Sequence, residues 1–287
     1  MNARESHPRQ NARRMFKAST TTTRASTAVG LAELIFHGTV REIRKSHGNP
    51  LIGLLMNMLQ TVILVVVFYL MFAVFNMRGS AIRGDFLLYV MSGIFLFMTH
   101  TKTMGAVVGS EGPASPMMQH APMNTAVAIS SAALAALYLQ VLSLLVILTL
   151  YYTISKPFVI EQPVAAMAMV FLAWLSGVAV GLVFLSLKPW FPTFSGIAST
   201  VYARANMIAS GKMVLANSLP PKMLAMFSWN PLFHAIDQAR GFTFINYNPH
   251  NSSLWYPVYF SLAFIMIGLM GEFYTRRHAS ASWASGR

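Results

Sequence analysis

Residues 51–75 read LIGLLMNMLQTVILVVVFYLMFAVF and contain no charged side chain. As an α-helix, a run of this length extends roughly 37 Å, which is enough to cross a hydrocarbon core of about 30 Å with some tilt. Similar apolar blocks recur along the chain, in which 55% of the 287 residues are hydrophobic and only 10% are charged. The sequence therefore predicts an all-α integral membrane protein with several spans.

The charge distribution predicts the orientation of the chain. The formal net charge is +13, from 21 Lys and Arg residues against 8 acidic residues, which in a soluble protein would indicate a nucleic-acid partner. Here the basic residues cluster before the first apolar block and after the last, so we expect no nucleic-acid partner and both termini in the cytoplasm. The number of spans is then even. We predict six, at residues 51–75, 86–108, 125–152, 164–187, 193–215 and 254–273.

The segments that flank the spans differ in character. Residues 1–28 are predicted to be a disordered basic cytoplasmic tail, with a transit peptide as the alternative, and residues 274–287 a second cytoplasmic tail. Residues 29–48 have the pattern of an amphipathic helix with Glu33, Arg41 and Arg44 on one narrow face. Such a helix is expected to lie along the inner membrane surface, separated from the first span by the break at Gly48 to Pro50.

Several predicted spans contain polar or aromatic side chains that could line a pathway. Asn57 and Gln60 share one face of the first span, where hydrogen bonding to another helix is the favoured interpretation and substrate contact the alternative. Arg204 falls near the middle of the fifth span, which also contains Lys212, and a charge at that depth should face a cavity or a partner. The ring of Trp174 could meet a sugar, although core packing is the favoured interpretation.

Residues 217–253, between the last two spans, are too polar to form another span. A capped helix is predicted at their centre, with Asn230 as N-cap, Pro231 at the first helical position and Gly241 at the C-cap. His234 and Asp237 lie one turn apart and could be read as a catalytic pair, but a polar helix face with local hydrogen bonds is favoured. The aromatic and polar residues that we assign to this segment are Trp229, Phe233, His234, Asp237 and Arg240.

Catalytic and metal chemistry find little support in the sequence. The chain has no cysteine, and no acidic residue pairs with another acid or with a histidine at a spacing typical of a hydrolase or a metal centre. A phosphate-binding loop of the type GxxxxGK[ST] is also absent, so ATP hydrolysis would reside on another chain. No carboxylate falls in mid-span, which disfavours ion-coupled transport. We expect no catalytic residue, metal or cofactor on this chain.

Five motifs carry a resemblance to a known family. They are MMQHAPMNTAVAISSAALAAL at 117–137, SGKMVLANSLPP at 210–221, WNPLFHAIDQARGFTF at 229–244, YNP at 247–249 and GEFYTRR at 271–277. Their order and spacing resemble those of the permease subunits of ABC-2 type exporters, and most closely those that export capsular polysaccharide. The resemblance covers most of the chain from about residue 31, but no single motif is diagnostic.

The resemblance implies a homodimer in the bacterial inner membrane that works with two copies of an ABC ATPase, which binds ATP and Mg, and moves a lipid-linked polysaccharide outward. It implies short re-entrant helices at residues 217–253 that gate the outer end, and an ATPase-coupling loop at residues 109–124. The coupling residues it suggests are Glu111, Pro116, Gln119 and His120 in that loop, with Glu33 and Arg41 on the amphipathic helix.

Alternatives remain open at this point. The cargo could be an O-antigen, a teichoic-type polymer or a drug, and attachment to periplasmic or outer-membrane export components is undecided. A different class of protein, a membrane enzyme that modifies glycolipids, would use His234 and Asp237.

Overall fold

A computed structural model describes residues 24–47, 49–74, 85–110, 124–154 and 157–278. These residues form nine α-helices and one turn of 3-10 helix at Ala216–Ser218, with no strand among them, so the all-α prediction is confirmed for this part of the chain. The helices are α1 (Arg24–His47), α2 (Pro50–Val74), α3 (Phe86–Val108), α4 (Thr125–Ile154), α5 (Pro163–Leu187), α6 (Pro192–Ala209), α7 (Pro221–Phe227), α8 (Pro231–Thr243) and α9 (Trp255–His278).

The beginnings of several helices follow from local sequence. Pro163 and Pro192 open α5 and α6 at the first helical position, where the missing N–H of proline costs nothing. Asp85 caps α3, since its carboxylate accepts a hydrogen bond of 2.9 Å from the backbone N–H of Leu87. The predicted break before the first span is also present, because α1 ends at His47 and α2 begins at Pro50.

Three helix boundaries differ from the predictions by more than two residues. Helix α1 begins at Arg24, so the last residues of the predicted disordered tail are helical; residues 1–23 lie outside the described part of the chain. Helix α6 ends at Ala209 and not at 215, because Gly211 turns the backbone out of the helix. Helix α9 continues through the basic residues to His278, five residues beyond the predicted span.

Within the described residues, four helices are long and apolar enough to cross a membrane: α2, α4, α5 and α9. Helices α3 and α6, which correspond to the predicted second and fifth spans, are not among the four. Both contain polar or charged side chains, including Lys102 in α3 and Arg204 in α6. The chain is thus a multi-pass membrane protein, and the count of six spans stays a prediction.

Helix α5 lies at the centre of the bundle and packs most extensively against α3 and α9. Small residues permit the close approach of these helices. A Cβ added at Gly177 of α5 would lie 2.5 Å from the carbonyl oxygen of His100 in α3, so no larger residue fits there. The larger apolar cluster combines α2, α3, α4 and α5 with residues of α8.

The helix ends gather at two opposite ends of the bundle. At one end, Lys188 donates to the carbonyl of Val108 at 3.0 Å, and the indole of Trp190 donates to Thr275 at 2.8 Å. These bonds join the end of α3, the α5–α6 turn and the end of α9. At the other end, the backbone N–H of Gln162 donates to Phe242 at 2.9 Å, so the start of α5 meets the end of α8. We call the latter the α8 end.

Candidate functional site

The turn between α6 and the 3-10 helix, residues 210–215, is the most constrained part of the α8 end. Gly211 has a φ of +65°, which a residue with a side chain adopts only at a cost. An added Cβ at this position would also lie 2.4 Å from the ring of Phe233 in α8. The chain can therefore reverse direction here, directly against α8, only with glycine.

Arg240 of α8 is fully buried and holds this turn. Its Nη1 donates to the carbonyl oxygens of Val214 at 2.6 Å and Gly211 at 3.3 Å, and its Nη2 donates to that of Lys212. The guanidinium lies 4.2 Å from the ring centre of Tyr89 in α3, a cation–π geometry. The hydroxyl of Tyr89 donates to the carbonyl of Met213 at 3.1 Å. Arg240 and Tyr89 together bind four consecutive carbonyls; we call this pair the turn clamp.

Lys212 points from the same turn into the helix bundle and is 3% exposed. Its ammonium lies 3.6 Å from the ring centre of Phe97 and 5.0 Å from that of Phe68. Among the described residues it has no hydrogen-bond partner, so the two aromatic faces provide its electrostatic compensation. Gly93 of α3 permits this approach, since an added Cβ would lie 2.7 Å from the Lys212 carbonyl oxygen and 2.9 Å from Arg240 Nη2.

His234 and Asp237 are buried and tie α8 to the loop that leads into α9. His234 Nδ1 accepts a hydrogen bond of 3.0 Å from the backbone N–H of Ser253, which places the ring proton on Nε2, where it is donated to the carbonyl of Ser228. Asp237 accepts hydrogen bonds from the hydroxyls of Tyr247 and Ser252, the latter at 2.7 Å. The favoured interpretation of local hydrogen bonds agrees with this geometry, although the polar face points into protein and not outward.

The burial of these groups also shifts their acidities. Desolvation lowers the pKa of His234 from its usual 6.5, since little water can stabilise the imidazolium. Desolvation, together with the nearby charge of Asp237, raises the pKa of the Tyr247 phenol. Both side chains are therefore neutral near pH 7, as a structural hydrogen-bond network requires.

The predicted caps of α8 have different outcomes. Asn230 is the N-cap, and its Oδ1 accepts a hydrogen bond of 3.0 Å from the N–H of Leu232. Its Nδ2 donates to Asn206 at 2.7 Å, which attaches α8 to α6. The prediction of Gly241 as C-cap was wrong, because the helix continues to Thr243. Glycine at 241 permits instead the close approach of Pro249, whose Cδ would lie 2.7 Å from an added Cβ.

The five predicted pathway residues do not come together within one chain. Arg204 lies on the exposed face of α6, whereas Lys212 is enclosed by α2 and α3. The indole of Trp174 donates to the carbonyl of Ala133 at 2.8 Å, which joins α5 to α4.

Asn57 and Gln60 are engaged with neighbouring helices. Asn57 donates to Ser143 at 2.8 Å and accepts from Gln140 at 2.9 Å, both in α4. The side-chain oxygen of Gln60 accepts a hydrogen bond from Lys102 of α3. Helix-to-helix hydrogen bonding was the favoured interpretation of this polar patch, and these bonds are of that kind. The same residues also line a cavity of about 290 Å³ between α2, α3 and α4.

The predicted coupling residues are only partly described. Glu111, Pro116, Gln119 and His120 lie outside the described residues. Glu33 lies on the exposed surface of α1, where its Oε1 is 3.7 Å from His37 Nε2. Arg41 is also exposed, about two turns further along the same helix. Of the predicted gate residues, Trp229 is 71% exposed, whereas Phe233 is buried against Gly211.

Two contributors to the site were not anticipated. Tyr89 and Gly93 lie one turn apart on α3 and form the surface against which the 210–215 turn packs. Their spacing was visible in the sequence, but nothing in α3 alone indicates its partner. His100 further along α3 is also fully buried, with Nδ1 2.8 Å from Ser176 Oγ and Nε2 3.1 Å from Tyr202 Oη. In the described ranges, no three His, Asp or Glu side chains are grouped so that they could hold a metal.

Comparison with known proteins gives one match. The sequence profile of a family described as "ABC-2 type transporter" matches residues 33–244, which extend from α1 through the end of α8. No curated protein matches the chain. The matched range covers well over half of the 287 residues and includes both residues of the turn clamp, Tyr89 and Arg240.

Proposed function

Because this chain belongs to the ABC-2 type transporter family, it is a permease component of an ABC transporter, and we propose that it exports a lipid-linked polysaccharide, of capsular type, across the bacterial inner membrane. The permease role, on which the proposal rests, is carried by the family match, which extends from Glu33 in α1 to the end of α8. The energy would come from ATP hydrolysis on two copies of a separate ABC ATPase subunit, since this sequence has no nucleotide-binding loop.

A homodimer is supported by the surface of α6. Phe194, Ile197 and Val201 are each about 60% exposed on this helix, and Arg204 is exposed on it as well. An arginine on a helix at membrane depth needs polar surroundings, which lipid does not supply. If α6 faces its copy in a second chain, the apolar residues are covered and the Arg204 side chains border a polar pathway between the two chains.

The proposed orientation follows from the positive-inside rule. Arg276 and Arg277 at the end of α9 lie at the same end of the bundle as the end of α3. The α5–α6 turn joins the two, since Lys188 bonds to Val108 in α3 and Trp190 bonds to Thr275 in α9. With this end in the cytoplasm, the end of α3 at Ser110, the start of α4 at Asn124 and the exposed face of α1 are in position to contact an ATPase. The α8 end then faces the periplasm.

The cargo proposal rests on charge. A basic pathway bordered by Arg204 suits an acidic polymer, and the capsular type is the one that the sequence motifs resemble. O-antigen, teichoic-type polymer or a drug are alternative cargoes on the same architecture. The enzyme alternative is not supported by a specific observation, because His234 and Asp237 are buried and satisfied by neighbouring groups.

The partner proposal is tested by affinity purification of the full chain from its native membrane. We expect an ATPase with a Walker A loop to co-purify, and expect its ATP hydrolysis in proteoliposomes to depend on this chain. Glu111→Ala and His120→Ala should weaken the association, while Glu161→Ala at the opposite end should not. Association with no ATPase, or equal association by all three variants, would contradict the proposal.

The dimer and the pathway are tested with single cysteines, because the sequence contains none of its own. Ile197→Cys on α6 should give a disulfide-linked dimer in membranes, whereas Met266→Cys, which is equally exposed on α9, should not. Arg204→Ala should reduce export of an acidic polymer with no loss of folded protein. Unchanged export would remove Arg204 from the pathway.

A further inference from the structure

A groove of about 1040 Å³ lies between α1 and α4. One wall is formed by α1 from Ala32 to Arg44 and the other by α4 from Leu134 to Leu145, with Phe171 of α5 and Pro50 completing the lining. A stretch of α4 of this length measures ~17 Å, which is close to the thickness of one leaflet of a 30 Å hydrocarbon core.

The groove is apolar and open at its surface. Leu134 and Leu145 on α4 are 37% and 48% exposed, and Phe36 on α1 is 63% exposed. Helix α4 is one of the helices long and apolar enough to span a membrane. The hydroxyl of Thr39 is satisfied within α1, where it donates to the carbonyl of Ile35 at 2.8 Å. The groove therefore offers hydrocarbon contact along most of its length.

One charged group lines this groove, the guanidinium of Arg44. Its neighbour Lys45 is 3.5 Å from Glu42, but Arg44 has no hydrogen-bond or ion-pair partner among the described residues. An exposed arginine beside a long apolar groove complements a molecule with a negatively charged head and a hydrocarbon tail. A protein helix would also fill an apolar groove, but it would not call for a cation in the lining.

We propose that this groove binds one anionic glycerophospholipid of the inner leaflet, with an acyl chain between α1 and α4 and the phosphate on Arg44. The lipid fastens the amphipathic α1 to the spanning helix α4, beside the few direct polar contacts between them, such as the bond of 3.1 Å from Ser131 Oγ to the Ile35 carbonyl. This role is independent of the exported cargo.

The test is native mass spectrometry of the delipidated full chain, titrated with phosphatidylglycerol and, in parallel, with phosphatidylcholine of the same acyl chains. We expect one saturable phosphatidylglycerol adduct per chain. Arg44→Gln should weaken it about fivefold, the change that corresponds to about 1 kcal/mol for one basic residue at an anionic surface. Ala32→Trp, which places an indole in the groove, should abolish the saturable phosphatidylglycerol adduct.

Two matched variants act as controls. Lys45→Gln removes a charge adjacent to Arg44 that is not part of the groove lining, and Leu31→Trp adds an indole next to Ala32 outside the lining. Both should bind phosphatidylglycerol as the wild type does. Equal weakening by Arg44→Gln and Lys45→Gln, or a saturable adduct that survives Ala32→Trp, would show only general attraction to a basic helix. Recovery of a second chain or a peptide cross-linked in the groove would likewise overturn the proposal.

Discussion

Replacement of Arg240 by methionine tests whether the turn clamp holds the α8 end together. Methionine preserves the unbranched apolar stem but removes the guanidinium, which donates to the carbonyls of Gly211, Lys212 and Val214. The carbonyls of Lys212 and Val214 would then have no donor, whereas that of Gly211 keeps the backbone N–H of Val214 at 3.1 Å. Each orphaned acceptor costs about 1 kcal/mol or more, so Arg240→Met should destabilise the fold by about 2 kcal/mol, even though it also removes a buried charge.

The expected change is large enough to measure as a melting temperature. A loss of 1 kcal/mol lowers Tm by about 2–4 °C in a chain of 150–250 residues, so we expect a decrease of about 4–8 °C. The assay heats detergent-solubilised protein and follows the monodisperse fraction by gel filtration with tryptophan fluorescence. Arg276→Met, an exposed arginine near the end of α9, is the control and should melt as the wild type does.

A milder variant keeps the test informative if Arg240→Met fails to fold. Tyr89→Phe removes only the hydroxyl that donates to Met213 and leaves the ring beneath Arg240, so it should cost about 1 kcal/mol. Arg240→Lys should fall between the two variants, since an ammonium cannot reach all three carbonyls from one point. A melting temperature for Arg240→Met within about 2 °C of the wild type would refute the clamp.

Three further predictions use the same melting assay. Gly93→Ala should destabilise by about 1–3 kcal/mol because its Cβ would lie 2.7 Å from the Lys212 carbonyl, whereas Gly105→Ala, with nothing within 4 Å, should not. Asn57→Ala should cost about 1 kcal/mol through lost bonds between α2 and α4; an unchanged Tm would show that these bonds are not needed. His234 has a folded-state pKa below 6.5, so the unfolded chain binds more protons and stability should fall as the pH decreases through 6.5. His234→Gln should make that fall shallower; an identical pH profile would contradict this role.

The bundle helices were predictable because their boundaries depend on local signals. Pro163 and Pro192 fix where α5 and α6 begin, and an uninterrupted apolar run fixes the extent of α2. The N-cap at Asn230 was predictable for the same reason. The end of α6 was not predictable, because the sequence around Ser210 and Gly211 does not by itself terminate a span. The helix ends there because the chain turns at Gly211, directly against Phe233 of α8.

The arrangement of the site was less predictable. The sequence of α8 separates apolar from polar residues, which predicts an amphipathic helix with a separate polar face. In the structure α8 is surrounded by α3, α5 and α9, so Arg240 and Asp237 are buried as well. Their partners are mostly backbone carbonyls and hydroxyls distant in sequence, and such partners leave no periodic pattern. Arg204, which was expected to face a cavity or a partner, is exposed in the single chain.

Lys212 offers a built-in chemical reporter on the α8 end. An amine enclosed by the rings of Phe97 and Phe68 is out of reach of acylating reagents and of trypsin, whereas Lys222 on the short α7 is exposed. Because the Lys212 backbone is also held by Arg240, its side-chain amine can react only when the turn leaves the bundle. The ratio of Lys212 to Lys222 acylation, read by peptide mass spectrometry, would therefore count the openings of this end in unmodified protein and in its native membrane.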